Sequence, residues 1–313
     1  MMITHDLLEK LMFTDEYISY ILEADGKYRD KIYPISCEFM SRNGKRNGKP
    51  YVGKEAGEKQ KFAEACLEKV KEAAPECDNE YILQLLFWLY CVPAAEKLYE
   101  ENGISKEIFY DTMKDLSTKT RECKEVHGKI GTSSKWFYPC FDCLYFALGR
   151  LQYYTVMYDL DAYRVEGYEL NFGDTAYTCH IPSGERLTPD MCMESLDKAY
   201  EFFKKDLKDD ILPVVCLSWL IYPNYLGKVF PEESNLEKFA KMFEVIDVIE
   251  TGREFGDCAR VFGLPFEGTT KGFPSDNSLR RNFIEYINSG AGFGKGIGIL
   301  LYDGKKKEIV NKK

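Results

Sequence analysis

Residues 174–203 read DTAYTCHIPSGERLTPDMCMESLDKAYEFF, and the change of rhythm inside this stretch decides the fold. Residues 176–181 alternate as a strand, with Tyr177, Cys179 and Ile181 on one face and Ala176, Thr178 and His180 on the other. Pro182, Ser183 and Gly184 end it. Thr188 then stands as an N-cap with Pro189 at the first helical position. From there Met191, Ser195, Leu196, Ala199, Phe202 and Phe203 recur along one helical face. A strand, a small-residue loop and a capped helix follow one another, and the loop amides with the helix start suit an anionic group.

Upstream the rhythm is helical. Residues up to 24 suggest two short helices, with Asp25 and Gly26 as a break. Residues 58–74 repeat Phe62, Cys66, Leu67 and Val70 on one face until Pro75 stops them. Residues 80–92 are apolar on all sides and should be the buried centre of this half. Ser105 caps a helix carrying Ile108, Phe109, Met113 and Leu116. A polar stretch at 122–134, with Gly128 and Gly131, separates a helical N-terminal domain at 1–130 from a second domain at 131–313.

Downstream, residues 136–148 form a docking helix or the lead-in to a strand. Residues 149–157 read as a strand that alternates Arg150, Gln152 and Tyr154 onto one face. An Arg and a Gln in mid-strand need partners if buried, so both are candidates for a site. Further strands are expected at 168–172, 214–220, 245–250, 258–262 and 297–302, and helices from Ser234 and over 277–289. The tail KKKEIVNKK should fray. The expected class is α+β: a helical domain, then a mixed, largely antiparallel sheet.

Composition narrows the function. A net charge of −9 argues against nucleic-acid partners, which want a basic surface. The longest apolar run, 81–92, is too short to cross a bilayer, and the start MMITHDLLEKLMF has acidic residues and no positive region ahead of an apolar core, so no secretion signal is read and a cytoplasmic protein is expected. The 11 cysteines fit reduced, buried thiols. Cys140 and Cys143 form a C-x-x-C without the two further ligands that zinc needs, and no metal is expected. The segment 41–54, SRNGKRNGKPYVGK, carries Arg42, Lys45, Arg46, Lys49 and Lys54 and no acid; it is a solvated loop or a lid over a phosphate-bearing ligand. No Ser-His-Asp elbow, H-E-x-x-H helix or Walker loop is present, and the Gly-rich SGAGFGKGIG (289–298) precedes no helix.

The phrases GISKEIFYDTMKDL (103–116), LGRLQ (148–152), HIPSGERLTP (180–189), CLSWL (216–220) and SNLEKF (234–239) resemble, in order, a bacterial acyltransferase-like family that joins a helical N-terminal domain to a C-terminal domain built like the GNAT superfamily. The resemblance implies a fourth strand at 176–181, a fifth at 214–220 and an acyl-CoA thioester lying between them. Pyrophosphate would meet the loop of Ser183, Gly184 and Thr188, and Asn235 would lie near the pantetheine arm. His180 would be the base, Ser218 would orient the acceptor and Tyr222 would protonate the leaving thiolate. Independently of the resemblance, polar side chains inside apolar strands point to a cleft between the two halves, lined by Arg150, Gln152, His180 and Trp219 with the Ser183–Gly184 loop at its rim. Arg150, Gln152 and Trp219 would bind the substrate there. The implied activity is direct acyl transfer from acyl-CoA to a small-molecule amine or hydroxyl. Cys216 or Cys179 as a nucleophile is a second enzymatic route, and a non-catalytic module that binds a ligand or partner is the alternative from another class. The superfamily's Arg/Gln-x-x-Gly-x-Gly/Ala loop is missing from PSGERLTP, and Tyr154 stands where the family often has an acid.

Overall fold

The structure is a computed structural model that describes residues 3–42 and 49–311. The chain divides into two compact units, Met1–Ala147 and Leu148–Lys313.

The first unit is helical: α1 (His5–Lys10), α2 (Asp15–Ser41), α3 (Glu55–Ala73), α4 (Glu80–Glu101), α5 (Lys106–Met113), α6 (Asp115–His127) and the single turn α7 (Tyr138–Phe141). As its unbroken apolar run requires, α4 is the centre, with residues from Ile82 to Val92 buried on every side. Ser105 caps α5 by accepting from the Ile108 N–H at 3.3 Å. The break expected at Asp25 and Gly26 does not occur, since α2 runs straight through it. Asp25 is buried and accepts from Tyr90 Oη at 2.5 Å and from Arg29 one turn on. These bonds to a buried carboxylate outweigh the roughly 1 kcal/mol that a mid-helix glycine costs. Residues 43–48 of the basic segment 41–54, with Lys45 and Arg46, lie outside the described residues. On either side of them, Tyr51 Oη donates to the buried Asp142 (2.6 Å), and the Arg42 carbonyl accepts from the Lys59 ammonium (2.9 Å). Residues 136–148 give both expected outcomes in turn, α7 and then β1 (Tyr145–Leu148), which straddles the boundary between the units.

The second unit holds β2 (Leu151–Met157), the hairpin β3 (Tyr163–Val165) and β4 (Tyr168–Leu170), β5 (Thr175–His180), α8 (Pro189–Phe203), β6 (Ile211–Ser218), α9 (Asn235–Ala240), β7 (Glu244–Gly252), α10 (Cys258–Phe262), α11 (Ser278–Asn288), β8 (Phe293–Asp303) and β9 (Glu308–Ile309). Its sheet runs β2-β5-β6-β8-β7, with β9 beside β8. Every neighbouring pair is antiparallel except β5 and β6. One face carries Tyr153, Tyr177 and Val214 beneath α8, with the Tyr177 and Phe203 rings 4.1 Å apart. The other face packs Ala176, Ile211, Ile299 and Leu301 under Tyr163, Tyr168 and Leu170 of the hairpin.

Residues 258–262 are a helix, not the expected strand. Cys258, Val261 and Phe262 are its buried positions, a spacing of three and four that belongs to a helix, and Gly263 at φ +70° ends it. The tail is also more ordered than expected. Asn311 is buried, accepts from the Leu301 N–H (2.8 Å) and donates to Tyr163 Oη and the Ile299 carbonyl. The Gly-rich segment 289–298 turns out of α11 and then forms the first half of β8. Ideal Cβ atoms on Gly294, Gly296 and Gly298 would fall within 3 Å of Tyr222 or Ile221, so the alternating glycines admit a 3-10 turn (Trp219–Ile221) against the bare strand.

Candidate active site

The parallel pair β5 and β6 sets the site. Their register holds only at Tyr177 with Val214 and Thr178 with Val215. Beyond that point β5 stays with β2, as far as His180 opposite Gln152, and β6 stays with β8, as far as Ser218 opposite Gly296. The two strands therefore part at their carboxyl ends, and main-chain groups along the facing edges lose their ladder partners. In open α/β sheets this end of parallel strands is where ligands collect.

The loop that leaves β5 at this opening leads into α8. Thr188 Oγ1 accepts from the Met191 N–H at 3.3 Å and Pro189 opens the helix, as its sequence requires. Gly184 sits at φ +115°, where a side chain is disfavoured. Arg150 reaches the same loop: Nε donates to the Arg186 carbonyl (3.0 Å) and Nη2 to the Glu185 carbonyl (2.8 Å). Ser195 holds α8 to the start of β2, accepting from the Leu151 N–H (3.0 Å) and donating to the Leu148 carbonyl. A buried serine on an otherwise apolar helix face was the available signal for this contact.

His180 and Gln152 are cross-strand partners on one face of the sheet, His180 half-buried and Gln152 buried. Cys179 and Cys216 lie on the opposite face at the same level. Cys179 is pushed well above the ordinary thiol range, first by the hydrogen-bonded Cys216 thiol and then by burial. A thiol held protonated in this way is poorly suited to attack.

The remaining expected residues gather elsewhere. Ser218 accepts from the Leu220 N–H (3.1 Å), capping the 3-10 turn on the face opposite His180. Tyr222 lies over Gly294 on that same face. Its hydroxyl donates to Glu250 (2.5 Å) and accepts from Asn224 Nδ2 (2.8 Å), and burial followed by the Glu250 bond pushes its pKa up to about 12. Trp219 packs with Phe283 and Phe230, centroids 5.6 and 5.9 Å away. Asn235 is exposed at the start of α9, which packs against the 3-10 turn and α8. The structure thus brings His180 and Gln152 together, and Arg150 with the Ser183–Gly184–Thr188 loop, but places Ser218, Trp219 and Tyr222 across the sheet from His180. Among the described residues no group of three or more His, Cys, Asp or Glu side chains could hold a metal ion.

A short parallel pair that splays within an antiparallel sheet, with a loop and helix start at its mouth, defines a GNAT-like domain. Residues 145–300 match the family model of the GNAT-like C-terminal domain. Residues 2–143 match that of the N-acyltransferase N-terminal domain. The chain belongs to the acyltransferase-like family built from these two domains. Among solved structures it resembles an acyltransferase with CoA and 10C-teicoplanin (21% identity, TM-score 0.69) and a mutant acyltransferase with octanoyl-CoA (20%, 0.68). Both alignments cover 94% of this chain and 86% of the other, and at this identity they speak for the fold. Among curated proteins none matches significantly.

Proposed function

We propose that the protein transfers an acyl group directly from acyl-CoA to an amine or hydroxyl of a small molecule. The observation that carries this is the parting of β5 and β6 after Thr178 and Val215, with the 183–188 loop at the opening. Acyl-CoA supplies an activated thioester. The free strand edges offer amides and carbonyls to its pantetheine arm, as a sheet edge does to an added strand. Loop amides and the first turn of α8 suit its diphosphate. His180, at the end of β5, is the base that takes the acceptor's proton, and Gln152 opposite it is placed to orient the acceptor. Ser218, Trp219, Tyr222 and Asn235 shape the end of β6 in this scheme. The resemblance to acyltransferases holding octanoyl-CoA, or CoA with a teicoplanin, supports an acyl-CoA donor and a small-molecule acceptor. We place the reaction in the cytoplasm, since all eleven cysteines are free and no helix among the described residues is long and apolar enough to cross a membrane.

A thermal-shift series with octanoyl-CoA, decanoyl-CoA and free CoA tests the proposal. At a hundredfold excess over Kd a ligand of the native state adds about 2.7 kcal/mol of stability. A clear rise in melting temperature, followed by release of CoA thiol when amines are supplied, is expected. Absence of any stabilisation by acyl-CoA would leave the binding-module alternative, which the missing Gly-rich loop favours.

A further inference from the structure

Arg150 is 8% exposed, yet it pairs with no carboxylate among the described residues. Its two hydrogen bonds go to the Glu185 and Arg186 carbonyls, and Nη1 meets no acceptor among those residues. Neutral carbonyls satisfy hydrogen bonds but bring no countercharge, and the exposed Glu185 carboxylate acts on the guanidinium only from beyond ion-pair distance, so burial remains the larger effect and is costly for a cation. The bonds also have a geometric effect. Across a trans peptide the carbonyl and the following N–H point in opposite directions, so turning the 185 and 186 carbonyls toward the guanidinium turns the Arg186 and Leu187 N–H groups away from it. Neither of these N–H groups meets an acceptor among the described residues. Directly beyond them lies the positive end of α8, fifteen residues long.

We propose that Arg150 is the positioning residue of an anion site, setting the Arg186 and Leu187 amides toward the diphosphate of acyl-CoA and supplying, from the strand beneath, the charge that the absent Gly-rich loop would otherwise bring. This rests on the acyl-CoA assignment above and adds the residue that makes this shortened loop competent. The ligand chemistry is a diphosphate, which octanoyl-CoA carries and octanoyl-pantetheine lacks.

The experiment compares affinities of these two thioesters by calorimetry for the wild type, Arg150→Gln and Arg150→Lys. In Arg150→Gln the ratio of the two affinities should fall at least tenfold toward the pantetheine thioester, with Arg150→Lys between. Inorganic pyrophosphate should compete with octanoyl-CoA on the wild type, and the competition should weaken as salt rises. If Arg150 only braces the fold, both variants lose melting temperature and the ratio stays within twofold, which overturns the inference and leaves the acyltransferase intact. A wild type that binds neither thioester removes both together. Should Arg150→Gln fail to fold, Arg150→Lys and the pyrophosphate competition decide alone, an unchanged ratio and no competition being the overturning result.

Discussion

His180 and Tyr222 show how position on a pleated strand sorts chemistry. Both are polar residues near the carboxyl end of the parallel pair, but one belongs to the Gln152 face and the other lies over Gly294 on the far side. His180→Ala should lower turnover by ~10²-fold or more while acyl-CoA binding barely changes, because a general base acts in the transition state. Single-turnover release of CoA thiol, beside calorimetry, separates the two effects. A change confined to melting temperature would make His180 a packing residue. Strand alternation made His180, Gln152 and Arg150 legible in the sequence. What Arg150 touches was not legible, since its partners are main-chain carbonyls about 35 positions away and carbonyls leave no mark on a sequence. Tyrosines carry a second expectation. Tyr163, Tyr168 and Tyr222 are pushed up to about 12, chiefly by burial, whereas unfolded tyrosine ionises near 10. Their protonated forms favour the native state fully below pH 10, and that stability is lost as pH rises from 10 through 12. Buried cysteines such as Cys66, Cys123 and Cys192 are likewise pushed up from 9 to about 11 by burial, so urea midpoints should begin to fall near pH 9 and fall more steeply above pH 10.

Among the elements, β8 departs most from the usual rule that strands avoid glycine. A Cβ on Gly296 would lie 2.4 Å from the Ile221 carbonyl, which as backbone cannot turn aside, so Gly296→Ala should cost roughly 1–3 kcal/mol or more. Gly256, with nothing within 4 Å and no left-handed φ, is the control, and its alanine variant should change stability by no more than about 0.5 kcal/mol in the same chemical melts. Periodicity found β5, α8, β6 and the core of α4 in the sequence because each keeps one rhythm for its whole length. It failed where tertiary contacts decided. Asp25 with Gly26 reads as a helix break, yet Tyr90 holds the carboxylate within α2, and CARVF reads as extended because five residues cannot separate the two rhythms.

At the scale of the molecule, the two units are continuous and successive, so the chain crosses between them once. The first can complete its core while the second is still being synthesised, as domains commonly do at translation rates of about 5–20 residues per second. The second unit has a different schedule. Strand β8 lies between β6 and β7 and pairs with both, yet both precede it in the chain. Until residues 293–303 emerge from the ribosome, β6 lacks its antiparallel neighbour and β7 has no strand beside it in this sheet. A message cut short, or a ribosome stalled, anywhere before that point yields a finished helical half joined to an unpaired strand edge. Such an edge is a template for aggregation and a natural target for chaperones and proteases. Quality control of this protein therefore hangs on the last strand of the sheet's centre, which synthesis delivers late.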